Sequence, residues 1–161
     1  MTRGEHVKVR ARRTRQGAGV DVYSFFMRGD QVAEIADITR LRRAEGQLDG
    51  FQRREIKSHV AEIAEFLSQG PVLFPNAIIL ALSPEVRFTQ SRGPQEQDDK
   101  VVAGKLSLPV RPEGHRAAWI VDGQQRSLAL AKASQSDLLV PAVAFVSSDV
   151  TVQREQFILV N

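Results

Sequence analysis

The sequence predicts a single α/β (α+β) domain, a mixed β-sheet with packed helices, and three observations carry that prediction. Strand-like segments outnumber helical ones and are interleaved with them, as in layered sheet and helix folds. One long stretch, Arg53–Gln69, has helical periodicity, with Ile56, Val60, Ile63 and Leu67 on one stripe. A continuous apolar run, Asn76–Leu82, is short and β-branched enough for a buried central strand. A length of 161 residues suits one domain with a real core, and 42% hydrophobic with 25% charged residues is ordinary for a water-facing globular chain.

Taken in order, Val7–Arg13 alternates apolar and basic residues, the period of a half-exposed strand. Gln16–Gly19 is a turn and Val20–Met27 a second strand, so the two are expected to form a hairpin. Gly29-Asp30 is expected to cap a short helix over Gln31–Ala36, followed by an extended Ile38–Arg42 and a polar loop to Gly50. Gly70-Pro71 ends the long helix. After the apolar strand, Val86–Thr89 reads as a strand and Gln90–Lys100 as a polar loop. Lys100–Val110 alternates again and is expected to form a hairpin with Ala117–Val121 across the turn Arg111–Gly114. A helix beginning around Ser127, a strand Leu138–Phe145 and a last helix from about Ser148-Asp149 complete the order. Gln153–Asn161 reads as a helix without a stop signal, so residues 1–161 are expected to be the N-terminal part of a longer chain.

Composition excludes several chemistries. There are no cysteines, hence no disulfide, thiolate nucleophile or Cys-ligated metal, and His6, His59 and His115 stand in no metal-ligand spacing. His59 reads as a packed or rim residue of the long helix. No apolar run reaches membrane-spanning length and no signal-peptide core is present, so a cytoplasmic location is expected. The net charge is only +3, but its distribution is uneven. Arg3, Lys8, Arg10, Arg12, Arg13 and Arg15 crowd the first fifteen positions against Glu5 alone, and Arg40, Arg42, Arg43, Arg53, Arg54 and Lys57 form a second cluster. Such patches attract phosphate, and Arg10, Arg12 and Arg13 are the DNA-contact candidates. The same charges also serve simply as a solvated edge or a subunit contact.

The most informative segment is Ile120–Ala131, IVDGQQRSLALA. A strand that turns through Gly123 into a helix presents free backbone N–H groups to an anion, and Arg126 one turn later adds a bidentate phosphate donor. Arg53 and Arg54, at the start of the long helix, are further phosphate candidates. Asp122 is the candidate for Mg²⁺ or for motif geometry, and Gln124 or Gln125 for orienting water. A structural account is equally available, with Asp122 as N-cap, Gln125 reaching back as in a capping box, and Gly123 allowing a tight turn.

Asp122-Gly123-Gln124-Gln125-Arg126 resembles the signature of the DGQHR-domain family, which includes DndB, with Gln125 where the name-giving motif has His. DGQQR as spelled here is similar to the motif of GmrS- and SspE-type restriction proteins. Three neighbouring features extend the resemblance from about Tyr23 to the end: Gly50–Ile56 followed by Phe74-Pro75-Asn76, the strand Leu138–Val143 with Pro141, and the spacing Phe157-x-x-x-Asn161. The resemblance implies a ParB/sulfiredoxin-like fold whose Gly-rich turn binds nucleotide phosphates, with Asn161 as a contact to base or ribose. It also implies partners in a DNA-modification gene cluster. The function expected first is a nucleotide-phosphate-binding domain of a DNA-modification or restriction (phage-defence) system, taking an NTP with Mg²⁺, with NTP hydrolysis left open and turnover by residues 1–161 alone not expected. The alternative is a non-catalytic DNA-binding or regulatory module of the DndB type.

Overall fold

A computed structural model describes residues 4–17, 19–38, 50–92, 100–133 and 137–146, with only the backbone for 50–56. Eight strands form one mixed sheet, with three helices among the described residues. The elements are β1 (His6–Gln16), β2 (Val20–Arg28), α1 (Gly29–Ile35), β3 (Ala36–Asp37), α2 (Gly50–Ser68), β4 (Ile78–Leu82), β5 (Arg87–Gln90), β6 (Val102–Pro109), β7 (Ala118–Asp122), α3 (Gln124–Lys132) and β8 (Leu139–Val146). Strand order is β3-β7-β4-β8-β2-β1-β6-β5. The β3–β7 and β4–β8 pairs are parallel and the other five antiparallel.

The alternation of β1 and β2 is what makes the hairpin: Val7, Val9 and Ala11 face the core with Tyr23, Phe25 and Met27, while the residues between them face outward. β4 is central as its composition predicts, lying between β7 and β8. Ile78, Leu80 and Leu82 join the main core, which also takes Val32 and Ile35 of α1, Val60 and Leu67 of α2, and Ala129 and Leu130 of α3. The three helices therefore cover one face of the sheet. On the opposite face a smaller cluster of Ala81, Val121 and Phe145 is packed by Val20, Val22, Ile79 and Trp119.

Several expectations change. β6 does not pair with β7; it lies between β1 and β5, and β7 pairs with β3 and β4. Proximity in sequence favoured the hairpin, but an eight-residue strand with Leu106 and Leu108 inward completes the long edge of β1 better than it matches five-residue β7. Helix α1 starts at Gly29 with no side-chain cap, and Asp30 instead pairs with Arg28 at 2.6 Å. A short strand, β3, covers Ala36–Asp37 just ahead of the expected extended Ile38–Arg42, of which residues 39–42 lie outside the described set. In α2, Val60 and Leu67 are buried and Ile63 half-buried, as the stripe requires. The last helix near Ser148 also lies outside the described residues.

Candidate functional site

Strand β7 ends at Asp122, and the chain reverses through Gly123 at φ +95° into α3. Only glycine adopts that left-handed conformation without strain. Space is tight as well: a Cβ there would sit 3.2 Å from Arg126 Nη2 and 3.3 Å from Ile78 Cγ1. Gly123, not Asp122, is the N-cap, and no side chain of the cap residue bonds the helix, so the capping-box account of Asp122 and Gln125 does not hold. Asp122 belongs to the strand ladder, opposite Ile79, which places it one position too early to cap.

The side chains of the motif turn mostly inward on the fold. Gln124 Nε2 donates to the carbonyls of Val121 at 3.0 Å and Ile120 at 3.3 Å, tying the helix start to β7. Ser127 Oγ donates to the Gly123 carbonyl at 2.8 Å. Arg126 Nη1 donates to the Asn76 carbonyl at 2.8 Å and Nη2 to that of Ala77 at 3.4 Å. Its guanidinium also lies 5.8 Å from the Phe74 ring centroid and 3.7 Å from Asp122 Oδ2. Arg126 therefore braces the segment Phe74–Ala77 against the motif turn.

A cleft of about 490 Å³ opens between α2, residues 73–76 and the first turn of α3. Asp122, Gly123, Gln124, Gln125 and Arg126 form one wall, and His59, Ile63 and Phe66 another. An uncapped helix start favours an anion there, while the Asp122 carboxylate opposes one. Arg53 and Arg54 lie in the first turns of α2, but their side chains are outside the described residues, as is Asn161.

The basic candidates separate by strand geometry. Arg10 and Arg12 point away from the helices, whereas Arg13 faces the other way, its guanidinium 5.0 Å above the Phe88 ring next to Tyr23. Directly opposite Arg10 is Lys105, and Lys8 and Arg87 both lie opposite Ser107. Lys8, Arg10, Arg12, Lys105 and Arg87 thus share one sheet face, and all are exposed. Arg10, Arg12 and Lys105 line a shallow groove of about 770 Å³ with Ser24 and Phe26, and among the described residues no acidic one lines it. Lys105, Arg87 and Phe26 were not legible as site residues. The alternation of β1 gave half the pattern, but the pairing of β1 with β6 brings in the rest.

Residues 9–161 match the DndB family, described as DNA-sulfur modification-associated. The chain belongs to the DndB family. No curated protein and no solved structure gives a match. The family match spans the DGQQR turn and all but the first positions of β1. It associates this DndB-family chain with DNA-sulfur modification systems, the context that the motif resemblance implied. Among its described residues no group of three or more His, Asp or Glu side chains is placed to hold a metal ion, and no helix is long and apolar enough to cross a membrane. One further buried polar anchor escaped sequence reading. Asp37 is 6% exposed and accepts the N–H groups of Gly114 at 2.9 Å and Arg116 at 3.1 Å, fixing the loop that leads into β7.

Proposed function

We propose that this chain is a DNA-contacting regulatory module of a DNA-sulfur modification system, and that the exposed basic sheet face is its DNA surface. The observation that carries this reading is the five cations on one face, Lys8, Arg10, Arg12, Lys105 and Arg87, with no ion pair to any of them among the described residues. Unpaired cations on a rigid sheet neutralise backbone phosphates, and the released counterions make such binding salt-dependent. The alternative use of the motif turn is weakened by what its side chains already do. Arg126 and Gln124 are bonded to backbone carbonyls, and Asp122 brings negative charge to the helix start.

The test is a salt titration of binding to a labelled DNA duplex with Arg10→Ala and Arg12→Ala. Each substitution should weaken binding and lower the slope of log K against log salt by about 1. Unchanged affinity and slope in both variants would remove this face from the reading.

A second reading keeps the nucleotide. The uncapped start of α3 facing a 490 Å³ cleft supports a phosphate at Gly123–Arg126, with Asp122 as the carboxylate available to Mg²⁺. Calorimetric titration with ATP, GTP, CTP and UTP plus Mg²⁺ tests it, and silence across all four removes it. Other proteins of the modification cluster would then be the partners through which either activity acts.

A further inference from the structure

The basic face carries a feature that duplex binding does not need. Phe26 is 63% exposed in the middle of a strand, on the side of the sheet away from the helices. Its neighbours in β2 on that side are Ser24, also exposed, and Arg28. In the pairing register Phe26 lies opposite Pro141 of β8. On its other side the β1–β2 register, which pairs Ala11 with Phe25, brings Arg10 level with it. Lys105 stands opposite Arg10 on the next strand. Lys105, Arg10, Phe26 and Pro141 therefore form one row across β6, β1, β2 and β8. Strands are spaced about 4.8 Å apart, so the row sets two cations about 5 and 10 Å to one side of the aromatic ring. Small side chains, Ser24 and Ala103, floor the groove beside it.

An exposed aromatic on an open sheet, flanked by cations on one side, is the arrangement that stacks an unpaired base while holding its backbone phosphates. A duplex keeps its base faces covered, so the ring would have nothing to stack on. The groove, at about 770 Å³, is within the range of sites that enclose a ligand of one to a few rings. Among the described residues no carboxylate lines it, which favours a polyanion over an acidic-basic protein contact. We infer that the basic face takes single-stranded DNA, with Phe26 stacking on a base and Arg10, Arg12 and Lys105 on the adjoining phosphates. This rests on the reading of that face as a DNA surface and adds the strand state that it selects.

The test is fluorescence anisotropy of the full chain with a labelled oligonucleotide of about 16 nucleotides, the upper span of one stacking platform, presented single-stranded and as its duplex. The single strand should bind tighter at equal salt. Phe26→Ala should weaken single-strand binding by about five- to a hundredfold and leave duplex binding unchanged, and Phe26→Tyr should restore it. Because Phe26 is exposed, substitution there leaves stability within about 0.5 kcal/mol, so folding does not confuse the result. Duplex binding as tight as single-strand binding, sensitive to Arg10→Ala but not to Phe26→Ala, would overturn the single-strand inference and leave the DNA surface standing. No binding of either form would overturn both. A concentration-dependent dimer in sedimentation, lost in Phe26→Ala without any change in DNA binding, would reassign the patch to self-contact and overturn the inference.

Discussion

Replacing Arg126 with Ala should destabilise the fold whatever the motif binds. The 2.8 Å bond from Nη1 to the Asn76 carbonyl is charge-assisted, a class that contributes about 1.5–3 kcal/mol. The second bond, to Ala77 at 3.4 Å, is at the limit of useful geometry. Contact with the Phe74 ring adds about 0.5–1 kcal/mol at a partly exposed site. The ion pair with Asp122 is long at 3.7 Å and partly solvated, so it contributes less than about 1 kcal/mol. Water reaches Asn76, which lets its freed carbonyl find a new partner and holds the loss to about 2–4 kcal/mol. For a chain of this size each kcal/mol lowers Tm by about 2–4 °C, so a drop of about 10 °C is expected. Urea unfolding followed by Trp119 fluorescence measures it directly. Arg126→Lys, a point charge unable to bridge both carbonyls, should lie between wild type and Arg126→Ala. A change below about 0.5 kcal/mol in Arg126→Ala would refute the bracing role. It follows that loss of ligand binding in Arg126→Ala is informative only at a temperature where the variant remains folded.

Three other substitutions test separate parts of the fold. Asp37→Ala strips two backbone N–H groups of their acceptor and should cost about 2–4 kcal/mol in urea unfolding, with Asp37→Asn losing less because one oxygen remains. Gly104→Ala places a Cβ onto the Phe88 ring and the Thr89 carbonyl, so it should destabilise the β5–β6 edge by about 1–3 kcal/mol, read as faster amide exchange in β5. Burial, and then the charge of Asp21, raise the pKa of Tyr23 above 10.0 in the folded state. The folded chain thus holds this proton longer than the unfolded one, so the stabilisation is complete below pH 10 and is lost as pH rises through the folded value. Tyr23 is the single tyrosine, so absorbance at alkaline pH reports it alone, and Tyr23→Phe should flatten the decline in stability there.

What could be read from the sequence was whatever local periodicity encodes. The alternation in Val7–Arg13, the stripe of Val60, Ile63 and Leu67, and the β-branched run ending at Leu82 each specified an element and its buried side. Pairing was different. Whether β6 joins β1 or β7 depends on matched length and on which edge is left open, neither of which periodicity records. The candidate sites divide the same way. The DGQQR turn was visible because its residues are contiguous, but the engagement of Arg126 with Asn76 and Ala77 was not, since those carbonyls arrive from a segment fifty positions earlier. Arg10 and Arg12 were visible as alternating charges, while Arg13, next to Arg12 in sequence, goes to the opposite face. Phe26 looked like one more strand residue until its strand acquired two neighbours and kept one side open.

The strand order has a consequence for how the chain is made. The first hairpin occupies the middle of the sheet, yet neither of its outer edges can be filled locally: β1 waits for β6 and β2 for β8, where Phe25 meets Ala142. A ribosome adding about 5–20 residues each second needs roughly 6–23 seconds to deliver β8 after Phe25. Through that interval β2 presents Tyr23, Phe25 and Met27 on an unpaired edge, beside the start of β1. The hairpin's other open edge, that of β1, carries Lys8, Arg10 and Arg12, and pairing two such edges from different nascent chains would bring those cations together, which disfavours it. The positive row proposed as the DNA surface of the finished protein would then protect the unfinished one from aggregation.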